Sequence, residues 1–98
     1  MKDPLTLRSL QDYIKKTDFN LDNKLHYFYK LIEETGELSE VLRKNRRLDD
    51  NGGQIKGTIE EELYDVLYYV AALANVYDID LEQCFRLKEE INRVKWNK

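Results

Sequence analysis

An all-α fold follows from three features of this sequence: one proline and four glycines in 98 residues, apolar residues recurring at helical spacing, and no useful stretch of strand-like alternation. The expected architecture is a four-helix bundle forming one domain over residues 1–98. Its length lies just below that at which a single core comfortably offsets chain entropy, so completion of the bundle by oligomerisation is expected.

The first helix is expected to open at Asp3-Pro4, with aspartate as the cap and proline in the first helical position. Leu7, Leu10 and Ile14 continue it, and it should fade near Thr17. Asp18 to Asn23 reads as a connection, after which Leu25, Phe28, Ile32 and Leu42 mark a long second helix ending near Asn45. Between Arg46 and Gly57 the run Asp49-Asp50-Asn51-Gly52-Gly53 is rich in turn formers and has no apolar period, so a mobile loop is expected. Thr58 with Glu61 three residues on has the capping-box pattern and opens a third helix from Ile59 to about Tyr77. Asp80 with Gln83 repeats the pattern for a fourth helix, with Ile79 placed to staple onto Cys84.

Composition narrows the function. Hydrophobic residues at 42% and charged residues at 36% suit a folded chain rather than a disordered or membrane one. A formal charge of -3 supplies no broad basic field, so stable nucleic-acid binding is not expected. Cys84 is the only cysteine, which rules out an intrachain disulfide and a cysteine zinc cluster; it reads as a small core residue. The nearly apolar stretch from Val66 to Val76 is too short to span a bilayer, and Met1-Lys2-Asp3-Pro4 has no apolar signal region, so a cytoplasmic location is expected.

The chemistry is concentrated in two acidic segments, Glu33-Glu34-Thr35-Gly36-Glu37 on the second helix and Glu61-Glu62-Leu63-Tyr64-Asp65 on the third. Each holds an i, i+3 pair, Glu34 with Glu37 and Glu62 with Asp65, which places both carboxylates on one side of its helix. At about 100° per residue, Glu62 falls between Tyr69 and Leu73, inside a stripe of Ile59, Leu63, Val66 and Val70. Asp65 lies at the edge of that stripe. Glu34 falls between Tyr27 and Val41 at the margin of the apolar arc, with Glu37 just outside it, whereas Glu33, Glu40, Glu60 and Glu61 point mostly to water. Ionised carboxylates at apolar seams cost several kcal/mol each unless compensated, and crowding them adds repulsion. No Lys or Arg sits on these seams, and an all-oxygen donor set suits Mg²⁺ or Mn²⁺. Di-iron helical bundles place His three residues after Glu, where this chain has Glu or Asp. Mg²⁺ retains waters and is completed by phosphates, which points to phosphoryl chemistry.

Glu33-Glu34-x-x-Glu37 followed after a loop by Glu62-x-x-Asp65 resembles the signature of MazG-type nucleoside triphosphate pyrophosphohydrolases, of the all-α NTP pyrophosphatase superfamily. The surrounding words, Lys30 to Leu38 and Glu61 to Leu67, extend the likeness, which covers about Leu25 to Trp96. The resemblance implies that Glu34, Glu37, Glu62 and Asp65 bind Mg²⁺. It also implies hydrolysis between the α and β phosphates, giving a nucleoside monophosphate and pyrophosphate, with Glu33 or Glu37 orienting the water. Lys88-x-x-x-Asn92-x-x-Lys95-Trp96 resembles the end of the family's last helix, where basic and amide groups approach phosphate or sugar; a basic helix end favoured by the macrodipole is the competing explanation. Tyr64 departs from the small residue many members carry.

Several further residues have two readings. Lys30 reaches phosphate or is an ordinary surface lysine, and Trp96 stacks on a base or packs. Arg43, Lys44, Arg46 and Arg47 form a lid over triphosphate or plain helix-end charge. His26 lies away from Glu34 on the wheel and reads as a surface residue. The third helix is apolar or aromatic almost all round, through Tyr64, Tyr68, Tyr69, Ala71 and Ala72, which predicts burial in a homodimer or homotetramer interface. Two other functions share parts of this pattern: phosphoribosyl-ATP pyrophosphohydrolase, and a non-catalytic oligomerisation module whose carboxylates bind metal for structure alone.

Overall fold

In a computed structural model describing residues 4–96, the chain forms α1 (Leu7–Thr17), α2 (Lys24–Lys44), α3 (Ile59–Val76) and α4 (Leu81–Trp96). Single 3₁₀ turns at Leu21–Asn23 and Asp49–Asn51 lie in the connections, and the described residues contain no strand.

α1 begins later than expected. Thr6 Oγ1 accepts from Ser9 N–H at 3.0 Å while Ser9 Oγ accepts from Thr6 N–H at 2.8 Å, a reciprocal cap that satisfies two otherwise orphaned donors. Pro4 therefore precedes the helix, and Asp3 lies outside the described residues. Leu10 and Ile14 pack with Ala71, Ala72 and Val76 of α3 and Tyr27 of α2 to form the core; the two alanines are fully buried.

α2 and α3 form a helical hairpin and share the most extensive helix–helix contact of the molecule. α2 stops at Asn45, which adopts the left-handed conformation (φ 53°) and donates its N–H to Leu42 O. The face of α2 turned to α3 carries buried Tyr27 and Glu34, with Leu31, Leu38 and Val41 half-buried. Leu25, Phe28, Ile32 and Leu42, the residues that signal the helix in the sequence, are exposed in the chain. Leu63 of α3 is likewise exposed, while Ala71 and Ala72 from outside its expected stripe are buried. Each helix has two apolar faces, and periodicity does not say which one the chain itself covers.

The connection between them is tied down rather than free. Glu60 accepts from Leu48 N–H at 3.0 Å and pairs with Arg47 at 2.9 Å, and Ile59 N–H reaches back to Arg46 O at 2.9 Å. Thr58 Oγ1 caps α3 by accepting from Glu61 N–H, but the Glu61 carboxylate takes Gly57 N–H at 2.7 Å instead of closing the box on Thr58. Glu60 and Glu61 are thus half-buried structural acceptors, not the water-facing groups expected.

Asp80 Oδ1 caps α4 through Glu82 N–H at 2.9 Å. Buried Gln11 joins α1 to this corner, donating to Asn75 Oδ1 at 3.0 Å and Ile79 O at 2.8 Å and accepting from Leu81 N–H at 3.0 Å. α4 packs mainly on α1 and leaves Cys84, Leu87, Ile91 and Val94 exposed along one stripe. Cys84 is therefore not a core residue of the single chain; with Ile79 it lines an apolar groove. No described helix is long and apolar enough to cross a membrane.

Candidate metal centre

The hairpin brings its two acidic segments together, the middle of α2 against the first two turns of α3. One carboxylate oxygen from each of Glu34, Glu62 and Asp65 lies within 4.8 Å of the other two. Glu34 and Glu62 are 9% and 8% exposed, and Glu34 Oε2 and Glu62 Oε2 are buried without any hydrogen-bond partner. Burial and then the adjoining Glu37 carboxyl, with the charges of Asp65 and Glu62, push the Glu34 pKa up to about 7. Burial also raises Glu62, aided by Glu37, Asp65 and Glu61, and raises Asp65, aided by Glu61 and Glu37; Lys56 opposes both shifts.

Two buried, unpaired carboxylate oxygens are rare in a folded protein because each forfeits its hydration. The spacing suits a small divalent ion: Mg²⁺ with oxygens at about 2.1 Å holds opposite ligands about 4.2 Å apart. Hard carboxylate donors match that ion, and nothing in the cluster is soft enough to favour thiolate or imidazole metals. The residues present fit a divalent cation.

The chain matches the family model of the MazG nucleotide pyrophosphohydrolase domain over residues 23–95, which takes in the whole α2–α3 hairpin. It belongs to that family. Among solved structures it is similar to crystal structures of iMazG from Vibrio DAT 722. The N-tagged form is 49% identical, with a TM-score of 0.82 and coverage of 96% of this chain and 100% of that one. The C-tagged form gives 48% identity, a TM-score of 0.81 and coverage of 91% and 99%. No curated protein matches the chain.

Within this MazG domain the expected site residues fall into three groups. Glu34, Glu62 and Asp65 converge, with Glu37 exposed at the rim beside Glu34. Lys30 and Glu33 lie one turn along α2, paired with each other at 2.9 Å, and Lys30 Nζ also sits 5.7 Å from the centre of the Tyr69 ring. Lys88, Asn92 and Lys95 lie on α4, which packs mainly on α1 rather than on the hairpin; the Trp96 side chain lies outside the described residues. His26 is exposed, as its wheel position predicts, and stacks edge-on against Tyr27 at 5.5 Å.

Lys56 and the bonds of Asp18 escape sequence reading, whereas Tyr69 is placed beside Glu62 by the helical wheel but given no role at the site. Lys56 is a loop residue whose charge acts on Glu62 and Asp65, and only its place just ahead of the acidic third helix hints at this. Tyr69 stands one turn after Asp65 and stacks edge-on against Tyr68 at 4.9 Å. Asp18, which reads as a connection, accepts from Tyr27 Oη at 2.9 Å and Tyr68 Oη at 3.1 Å and so joins α2 to α3 beneath the site.

Proposed function

We propose that the chain hydrolyses nucleoside triphosphates between the α and β phosphates, releasing a nucleoside monophosphate and pyrophosphate, with Mg²⁺ as the cofactor and Mn²⁺ as a substitute. The observation that carries this reading is the convergence of Glu34, Glu62 and Asp65 with two buried oxygens left unpaired. Membership of the MazG pyrophosphohydrolase family supplies the reaction class.

Glu34, Glu62 and Asp65 would hold the cation, with Glu37 closing the rim. When bound, the ion supplies charge neutralisation of phosphoryl oxygens and a more acidic water. Glu37 is the favoured carboxylate for orienting the attacking water, because Glu33 is engaged by Lys30. Tyr69, one turn after Asp65 on α3, is half-buried and stacks edge-on against Tyr68 at 4.9 Å.

A second copy of the chain is the proposed partner, in a homodimer or homotetramer. Exposed large apolar residues outnumber buried ones among the described residues, and they form stripes rather than isolated points. One stripe is Leu25, Phe28 and Ile32 on α2; another is Leu87, Ile91 and Val94 on α4; Leu63 and Leu67 lie exposed on α3. An apolar groove of about 340 Å³ is open as well, lined by Leu31 of α2, Val70, Leu73 and Tyr77, and Leu81 and Cys84 of α4. Lys88, Asn92 and Lys95 stand one step round α4 from its bare stripe, so covering the stripe brings them into the interface as proposed substrate contacts.

The test is pyrophosphate release from ordinary, deoxy and damaged nucleoside triphosphates with Mg²⁺, comparing wild type with Glu62→Gln and Asp65→Asn. Each substitution should lower kcat by about a hundredfold or more, the scale on which single electrostatic contributors act. Unchanged turnover in both variants would overturn the assignment.

A further inference from the structure

We propose that Arg46 and Lys56, gathered at Gly57 where the connection meets α3, form the subsite for the terminal phosphates of the substrate, the part that leaves as pyrophosphate. This rests on the pyrophosphohydrolase reading above and adds to it an orientation: the phosphate tail points to the hairpin loop, and the nucleoside points toward Tyr69.

Both cations are carried on backbone that is fixed. Arg46 O receives Ile59 N–H at 2.9 Å. Asn51 Nδ2 spans Gln54 O at 2.8 Å and Lys56 O at 3.1 Å, and the next residue, Gly57, gives its N–H to Glu61. The segment therefore presents charge from a set position instead of closing as a lid.

The two side chains also differ from the neighbouring arginines. Arg43 is paired with Glu40 and Arg47 with Glu60, whereas neither Arg46 nor Lys56 takes part in an ion pair among the described residues. Arg46 lies over Gly57, its Nη1 3.3 Å from where a β-carbon would stand, and Gly57 holds φ at +77°. Only glycine permits that backbone and that approach together without strain. Gly57 stands just ahead of α3, whose first turn carries Glu62, and gives its N–H to the Glu61 carboxylate at 2.7 Å, so this cationic rim adjoins the carboxylate centre.

The chemistry asks for such a rim. A cation at the carboxylates neutralises phosphate where the bond breaks, but negative charge also accumulates on the departing pyrophosphate, beyond the reach of Glu34, Glu62 and Asp65. A guanidinium offers paired donors to phosphate oxygens and an ammonium offers a point charge. At the opposite end of the cluster Lys30 is already engaged by Glu33, whereas Arg46 and Lys56 on the loop side hold no carboxylate among the described residues.

The experiment measures binding of inorganic triphosphate in the presence of Mg²⁺ by calorimetry, alongside kcat and KM for nucleoside triphosphate and diphosphate. The proteins are wild type, Arg46→Gln, Lys56→Gln, the double variant and Lys56→Arg. Each glutamine variant should bind triphosphate about tenfold more weakly, the loss expected for one charged hydrogen bond. Nucleoside monophosphate, which lacks the tail, should bind as before, the preference for triphosphate over diphosphate should shrink, and Lys56→Arg should recover most of the affinity. Triphosphate binding by the double variant within twofold of wild type would overturn the proposal, as would equal weakening toward monophosphate. A wild type that releases no pyrophosphate from any nucleotide would overturn the enzymatic reading itself, whereas the calorimetric arm reads the subsite without turnover.

Discussion

Replacing Glu34 by glutamine should make the metal-free protein more stable at alkaline pH while removing most of its response to Mg²⁺. The wild-type carboxyl has a pKa of about 7 when folded, against an ordinary value of 4.5. Between those values the folded state holds a proton that the unfolded state has released, so stability falls as pH rises from near 4.5 through 7. Applying the single-site linkage relation between pH 5.5 and pH 8 gives a loss of about 2 kcal/mol. For a domain of this size that is roughly 10 °C in Tm. Glutamine keeps the shape, cannot ionise, and can donate its amide to the neighbouring unpaired carboxylate oxygen. Urea denaturation at pH 5.5 and 8, without metal and at one protein concentration, should show the variant gaining about 2 kcal/mol on wild type over that interval. Added Mg²⁺ should stabilise wild type more at pH 8 than at pH 5.5, because the ion displaces the proton, and should do little for the variant. Parallel pH profiles for the two proteins, or equal stabilisation by Mg²⁺, would refute the claim that burial and crowding hold Glu34 partly protonated.

Other consequences are separable. Asp18→Ala leaves the hydroxyl of Tyr27, 1% exposed, without its acceptor and should cost about 2 kcal/mol in urea denaturation. Gln11→Leu removes three bonds across the α1–α3–α4 corner and strands the Leu81 N–H, Asn75 Oδ1 and Ile79 O; a loss of about 2–4 kcal/mol is expected by the same assay. Ile91→Glu alters a residue that is 59% exposed in the chain, so the fold should survive while light scattering reports a smaller assembly than wild type.

What the sequence made legible was whatever depends on helix period and local capping. Four helices, the end of α2 at Asn45 and the inward turn of Glu34 and Glu62 all follow from spacing of a few residues. The choice between two apolar faces of one helix did not follow. Leu25, Phe28, Ile32 and Leu63 are as apolar as the residues the chain does bury, and only the position of neighbouring helices separates the two sets. Nor could the start of α1 be read, since Asp3-Pro4 and Thr6-x-x-Ser9 are both helix-opening patterns and the second forms its reciprocal bonds. Partners distant in sequence were equally hidden: Tyr68 reaches Asp18 across 50 positions, and Glu60 finds Arg47 across 13.

Those two distant contacts explain how a cluster of like charges is kept at close quarters. Asp18 fastens Tyr27 to Tyr68 on one side of the carboxylates, and Glu60 fastens Arg47 and Leu48 on the loop side, so the hairpin is pinned at both ends. Repulsion among Glu34, Glu37, Glu62 and Asp65 acts between the pins, where opening the helices would break one clamp or the other. The cost appears instead as raised carboxyl pKa values and unpaired oxygens, both of which a divalent cation relieves. Cation affinity and clamp strength are therefore coupled. Loosening the far clamp by Asp18→Ala should weaken Mg²⁺ binding although Asp18 touches no carboxylate of the cluster, because the helices are then free to relax the crowding that the ion would otherwise remove.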